Sequence, residues 1–131
     1  MEIGLIELLK KIEKEKQCIL MEPRYEMGYR IYSIINHGEV RGYINLSDGD
    51  LWDVVIPGYK CKLKKREYMS NEILGLFILN NGNSKIFMRV CEEGYDNERA
   101  VEDIKKYIKE YLYWNDVEGE WVEYKKFKGR L

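Results

Sequence analysis

The feature that most constrains this chain is the stretch Gly42-Tyr43-Ile44-Asn45-Leu46-Ser47-Asp48-Gly49-Asp50-Leu51-Trp52-Asp53-Val54-Val55-Ile56. It opens as a strand, turns through Ser47-Asp48-Gly49-Asp50, and closes as a second strand with a β-branched run. Val and Ile suit a pleated sheet, whereas Asp and Gly suit a tight turn. Three carboxylates, Asp48, Asp50 and Asp53, fall within six residues around one glycine. Like charges held that close repel unless protonation, solvent or a bound cation relieves them. Two readings stay open at this point: a divalent-cation site, or a polar turn made for local reasons. In extended chain Asp48 and Asp50 share a side while Asp53, three positions on, points away. A shared ion therefore demands a bend or bulge at Leu51-Trp52. The stretch is not an EF-hand, because Asp53 stands where that loop needs glycine and Tyr59 where it needs a bidentate Glu. Oxygen ligands alone favour magnesium or manganese over zinc.

The flanking segments read as follows. Leu5, Leu8, Leu9 and Ile12 lie at helical spacing within residues 2–16, opposite Glu7, Lys10, Lys11, Glu13 and Lys14, which predicts an amphipathic helix. Residues 17–21 read as a short strand stopped by Pro23. Tyr25, Met27, Tyr29 and Ile31 alternate with Glu26, Gly28, Arg30 and Tyr32, the period of a half-buried strand. Asn36-His37-Gly38-Glu39 reads as a turn. After Pro57-Gly58 comes a basic run, Lys60, Lys62, Lys64, Lys65 and Arg66, read as a solvated edge strand or an anion-binding patch. Residues 73–79 and 85–91 flank Asn80-Asn81-Gly82-Asn83-Ser84 and predict a hairpin. The last helix is expected to start with Asn97 as its N-cap, with Val101, Ile104, Ile108, Tyr111 and Leu112 as its apolar stripe.

A chain of 131 residues, 45% hydrophobic and 34% charged, predicts one globular domain covering residues 1–131. No apolar run reaches the roughly 18 to 20 residues of a membrane-spanning helix, and the N-terminus lacks the charge order of a signal peptide, so a cytoplasmic, non-membrane protein is expected. Cys18, Cys61 and Cys91 lack paired spacing and read as reduced core thiols. A net charge of −1 argues against a general nucleic-acid binder. His37 is the single histidine, so neither a catalytic triad nor a zinc site has its parts.

The order Gly42, Tyr43, Ile44, a short spacer, then Asp48-Gly49-Asp50-Leu51-Trp52-Asp53-Val54 resembles the signature of the soluble family I inorganic pyrophosphatases. The resemblance continues through Ile73-Leu74-Gly75-Leu76, the segment Lys85-Ile86-Phe87-Met88-Arg89-Val90, and the tail with Tyr113, Gly119, Trp121 and Val122. It covers residues 40 to 124. It implies a small closed, mostly antiparallel β-barrel of the oligonucleotide-binding type, of five to seven strands, with one helix before and one after. It further implies a magnesium-dependent hydrolase acting on pyrophosphate or another small phosphorylated ligand, with manganese as a substitute ion. Asp48, Asp50 and Asp53 would be the metal ligands, Asp50 and Asp53 the catalytic carboxylates, and Lys85, Tyr113 and Arg41 the substrate contacts. Dimers or hexamers are usual there, which leaves room for a homo-oligomer. This sequence departs from the pattern where Asn80 and Asn83 stand in place of carboxylates, Trp114 in place of a lysine, and Arg41 in place of a tyrosine. Low or lost hydrolysis is therefore expected. The alternative is a non-catalytic pyrophosphatase-fold protein that binds a metal, a phosphate ligand or a protein partner.

Overall fold

The computed structural model describes residues 2–15, 19–21, 24–26, 35–57, 66–68, 70–89, 96–109 and 119–131. They form a mixed α+β structure. In chain order the strands are β1 (Glu2–Ile3), β2 (Ile19–Met21), β3 (Arg24–Glu26), β4 (Ile35–Asn45), β5 (Leu51–Pro57), β6 (Arg66–Tyr68), β7 (Ile73–Leu79), β8 (Lys85–Met88) and β9 (Gly119–Glu123). Helix α1 (Leu5–Glu15) follows β1, α2 (Asn97–Tyr107) follows β8, and the single turn α3 (Tyr124–Phe127) follows β9.

The main sheet runs β1-β4-β5-β8-β7-β9, with β3 paired to β4 off that path. Hairpin partners β4/β5 and β7/β8 are antiparallel, whereas β1/β4 and β5/β8 are parallel. Strands β2 and β6 make a separate antiparallel pair, Ile19 opposite Tyr68. The expected α+β class and mostly antiparallel pairing are found; among the described residues two of the seven strand pairings, β1/β4 and β5/β8, are parallel, and the path of the main sheet ends at β1 and β9. The reason for the second is the place of β8, the second strand of its hairpin, which lies between β7 and β5. Running opposite to β7, it lies parallel to β5.

Strand alternation divides the apolar residues between two faces. Trp52, Val54 and Ile56 of β5 and Ile86 and Met88 of β8 join Leu8, Leu9 and Ile12 of α1 and Tyr124 and Phe127 of α3 in one core. Val55 and Phe87, the intervening residues, join Phe77, Leu79, Ile104, Tyr107 and Ile108 in a second core under α2. The helical spacing read at Leu8, Leu9 and Ile12 thus becomes a buried stripe, and exposed Glu7, Lys10 and Lys14 lie off it.

Three local expectations are revised. The residues read as a turn at positions 36–39 lie inside β4, where His37 faces Val55 and Gly38 faces Val54. Partner strands on a long ladder outweigh a local turn signal. Helix α2 is capped one residue earlier than expected: Asp96 is extended (φ −81, ψ 170) and its Oδ1 accepts the Arg99 N–H at 2.8 Å. Among the described residues the expected helix before the sheet and helix after it are joined by a third, because Tyr124 and Phe127 bury themselves in a further turn after β9. The three cysteines, Arg30, the basic residues 60–65, Tyr111, Leu112 and Trp114 lie outside the described residues. None of the described helices is long and apolar enough to cross a membrane.

Candidate functional site

The acidic turn is closed by its own backbone and by Asn45. The Asn45 N–H donates to the Asp50 carbonyl at 2.7 Å and the Gly49 N–H to the Asn45 carbonyl at 3.0 Å. Gly49 supplies the positive φ of 76° that the reversal needs. Asn45, only 3% exposed, uses its Oδ1 to accept both the N–H and the hydroxyl of Ser47, at 2.9 and 2.8 Å. Asp48 does the same one step later, its Oδ1 accepting the Asp50 N–H at 2.9 Å. These are side-chain turns that fix the loop without a ligand.

The irregularity in this hairpin lies on the partner strand β4 and not at Leu51-Trp52, where a shared ion requires the bend. Glu39 faces Asp53 and Ile44 faces Leu51, so five steps on β4 match two on β5. Residues 40–43 form this bulge, with Gly42 at φ 85°. It bends β4 opposite Trp52 and leaves β5 extended.

The loop of residues 80–84 lies against this turn. Asn81 Oδ1 accepts the Asn83 N–H at 2.9 Å, and Ser84 Oγ accepts the Leu79 N–H at 3.0 Å. A Cβ added to Gly82 would sit 3.3 Å from Ser47 Cβ, so the two loops touch. Parallel pairing of β5 and β8, Val54 opposite Ile86, carries Asp53 beside Lys85. Lys85 Nζ donates to Asp53 Oδ2 at 3.3 Å and to Asn83 Oδ1 at 3.1 Å. The same Asn83 oxygen accepts weakly from Asn45 Nδ2 at 3.4 Å. The result is one connected polar set, Asp53, Lys85, Asn83, Asn45 and Ser47, spanning both loops.

Compared with protein-family models, curated proteins and solved structures, the chain finds no match. The chemistry of these paired loops therefore rests on their own side chains.

Of the residues expected in a site, Asp53 and Lys85 are brought into direct contact. Asp48 and Asp50 lie exposed on the neighbouring turn. Arg41 is exposed within the β4 bulge, and Tyr113 lies outside the described residues. Among the described residues, no three His, Cys, Asp or Glu side chains gather where one ion could take them together. As placed, Asp53 is paired with Lys85 and is not gathered with Asp48 and Asp50. The pair is partly exposed, 18% for Lys85 and 38% for Asp53, so solvent limits its worth to about 1 kcal/mol or less. An incoming anion can compete for the lysine at that cost. Asn45 and Ser47 were not singled out from the sequence. The signal was there: Asn45-Leu46-Ser47 and Asn81-Gly82-Asn83 each place an Asn two residues before the N–H that it accepts.

Proposed function

We propose that the chain is a divergent pyrophosphatase-like protein that binds a small phosphorylated ligand at the paired loops, with hydrolysis low or lost. The observation that supports this reading is the contact of Lys85 with Asp53 and Asn83 at the meeting of the two loops. A phosphate oxygen replacing the Asp53 carboxylate would receive a charge-assisted hydrogen bond from Lys85, stronger than a neutral one. Asn83 and Ser47 would supply neutral polar contacts beside it. Asp53 then acts as a built-in competitor for the anion, which is the opposite of a metal ligand's part. The magnesium or manganese ion that the resemblance implies needs Asp53 freed from Lys85, and no hydrolytic step is assigned to it.

Titration calorimetry with pyrophosphate, without metal and then with magnesium, tests this. The expected outcome is weak binding by the native protein. Lys85→Met should reduce it by about tenfold or more, the worth of a hydrogen bond to a charged group. Asp53→Asn should tighten binding in the absence of metal. Phosphate release from pyrophosphate should stay low in all three proteins. A fast native rate abolished by Asp50→Asn or Lys85→Ala would instead establish a working hydrolase, and absence of binding by every variant would end the phosphate reading.

A further inference from the structure

We propose that Asn81 is a deamidation site, and that its conversion alters the loop that holds Asn83 against Lys85. Asn81-Gly82 is the single Asn-Gly pair in the sequence. Both residues are exposed at the tip of the β7–β8 loop. Gly82 has no side chain to shield its amide nitrogen, and it sits at φ 82°, a conformation that glycine adopts without strain. The Asn83 N–H donates to Asn81 Oδ1 at 2.9 Å, a side-chain turn that keeps the Asn81 side chain at the exposed loop tip. The Gly82 N–H donates to the Leu79 carbonyl at 3.1 Å, a bond that must open before the nitrogen can attack.

The chemistry balances with water as the one added reactant. The Gly82 nitrogen gives its proton to solvent base and bonds to Asn81 Cγ. The Cγ–Nδ2 bond breaks, and Nδ2 leaves as ammonia after taking a proton. Water then opens the five-membered imide at either carbonyl. Opening at the backbone carbonyl gives isoaspartate, and opening at Cγ gives aspartate. No atom is oxidised or reduced.

The other asparagines of the described loops and helices are placed differently: Asn71 precedes Glu72 and Asn80 precedes Asn81, each with a side chain beside the attacking nitrogen. Asn45 is buried and bound to Ser47, and Asn97 lies in the first turn of α2. Asn83 is followed by Ser84, whose nitrogen carries a side chain beside it. Isoaspartate at position 81 would lengthen the main chain by one methylene, so the Gly82 and Asn83 hydrogen bonds could not both persist. Asn83 would then leave its place between Lys85 and Asn45.

The test is ageing of the folded full chain at mildly alkaline pH, followed by peptide mass mapping and enzymatic methylation of isoaspartate. Position 81 should convert ahead of every other asparagine, to a mixture with isoaspartate, and the Asn81→Gln variant should lose this signal. The same incubation in urea sets the rate of the unfolded chain. Retention of the amide at position 81 in the folded protein, with conversion in urea, would overturn the proposal, as would earlier conversion at another asparagine. The readout is mass, so it stands whether or not the paired loops bind phosphate.

Discussion

Gly75 leaves no space for a methyl group. A Cβ built there would lie 2.6 Å from Trp121 Cζ2 and 2.7 Å from the Val122 carbonyl oxygen. The Trp121 ring lies across the bare backbone of β7 and meets Phe87 edge to face, with centroids 5.8 Å apart. Gly75→Ala is expected to destabilise the protein by about 1 to 3 kcal/mol, the usual cost of overpacking. Gly129→Ala is the control, because nothing lies within 4 Å of the added carbon. Urea midpoints of the two variants check this, with the second within about 0.5 kcal/mol of native. The same steric logic holds at Gly119, where a Cβ would meet Leu79 and Phe77 at 2.6 Å.

The joint between α1 and α3 shows how elements far apart in sequence are tied. Glu13 accepts the Tyr124 hydroxyl at 2.5 Å through Oε1, and its Oε2 pairs with Lys128 at 3.2 Å. Burial chiefly, then the hydrogen bond and negative charge of Glu13, push the Tyr124 hydroxyl well above the ordinary tyrosine range. A raised pKa means that the folded state keeps a proton the unfolded chain has lost. The stabilisation is therefore complete below about pH 10, the unfolded value, and declines as pH rises above it. Tyr124→Phe should cost about 1.5 to 3 kcal/mol at neutral pH, as for a hydrogen bond to a charged group. It should also flatten the loss of stability above about pH 10. Urea unfolding of both proteins from neutral to alkaline pH would show this, and unchanged alkaline slopes would refute it.

At the scale of the whole molecule, one sheet serves two cores. Ile86 and Phe87, adjacent on β8 and both wholly buried, belong to opposite faces. Removing either is expected to be severe: about 2 to 5 kcal/mol for Ile86→Ala and about 3 to 5 kcal/mol for Phe87→Ala. Because the strands are common to both cores, the two faces should unfold together. Trp52 lies in the first core and Trp121 beside the second. Fluorescence of the double variants Trp52→Phe/Trp114→Phe and Trp114→Phe/Trp121→Phe, each keeping one of the three tryptophans, therefore reports each face separately. In either protein the fluorescence transition should coincide with that of far-ultraviolet circular dichroism.

The local periods were legible in the sequence. Leu8, Leu9 and Ile12 read as a helix face, Val54 to Ile56 as a strand, and residues 73–79 and 85–91 as a hairpin, because side-chain spacing repeats with the backbone geometry that creates it. The acidic turn was legible too, since Asp48 and Gly49 act on atoms within a few residues. Partner choice between strands was not. Residues 36–39 carry turn residues yet sit in β4, because Val54 and Val55 pair with them across the sheet. The Asp53–Lys85 contact depends on β5 and β8 lying parallel, 32 residues apart in the chain. Alternation records which face a side chain takes but not which strand lies beside it, so only the assembled sheet decided that Asp53 meets a lysine and not two other aspartates.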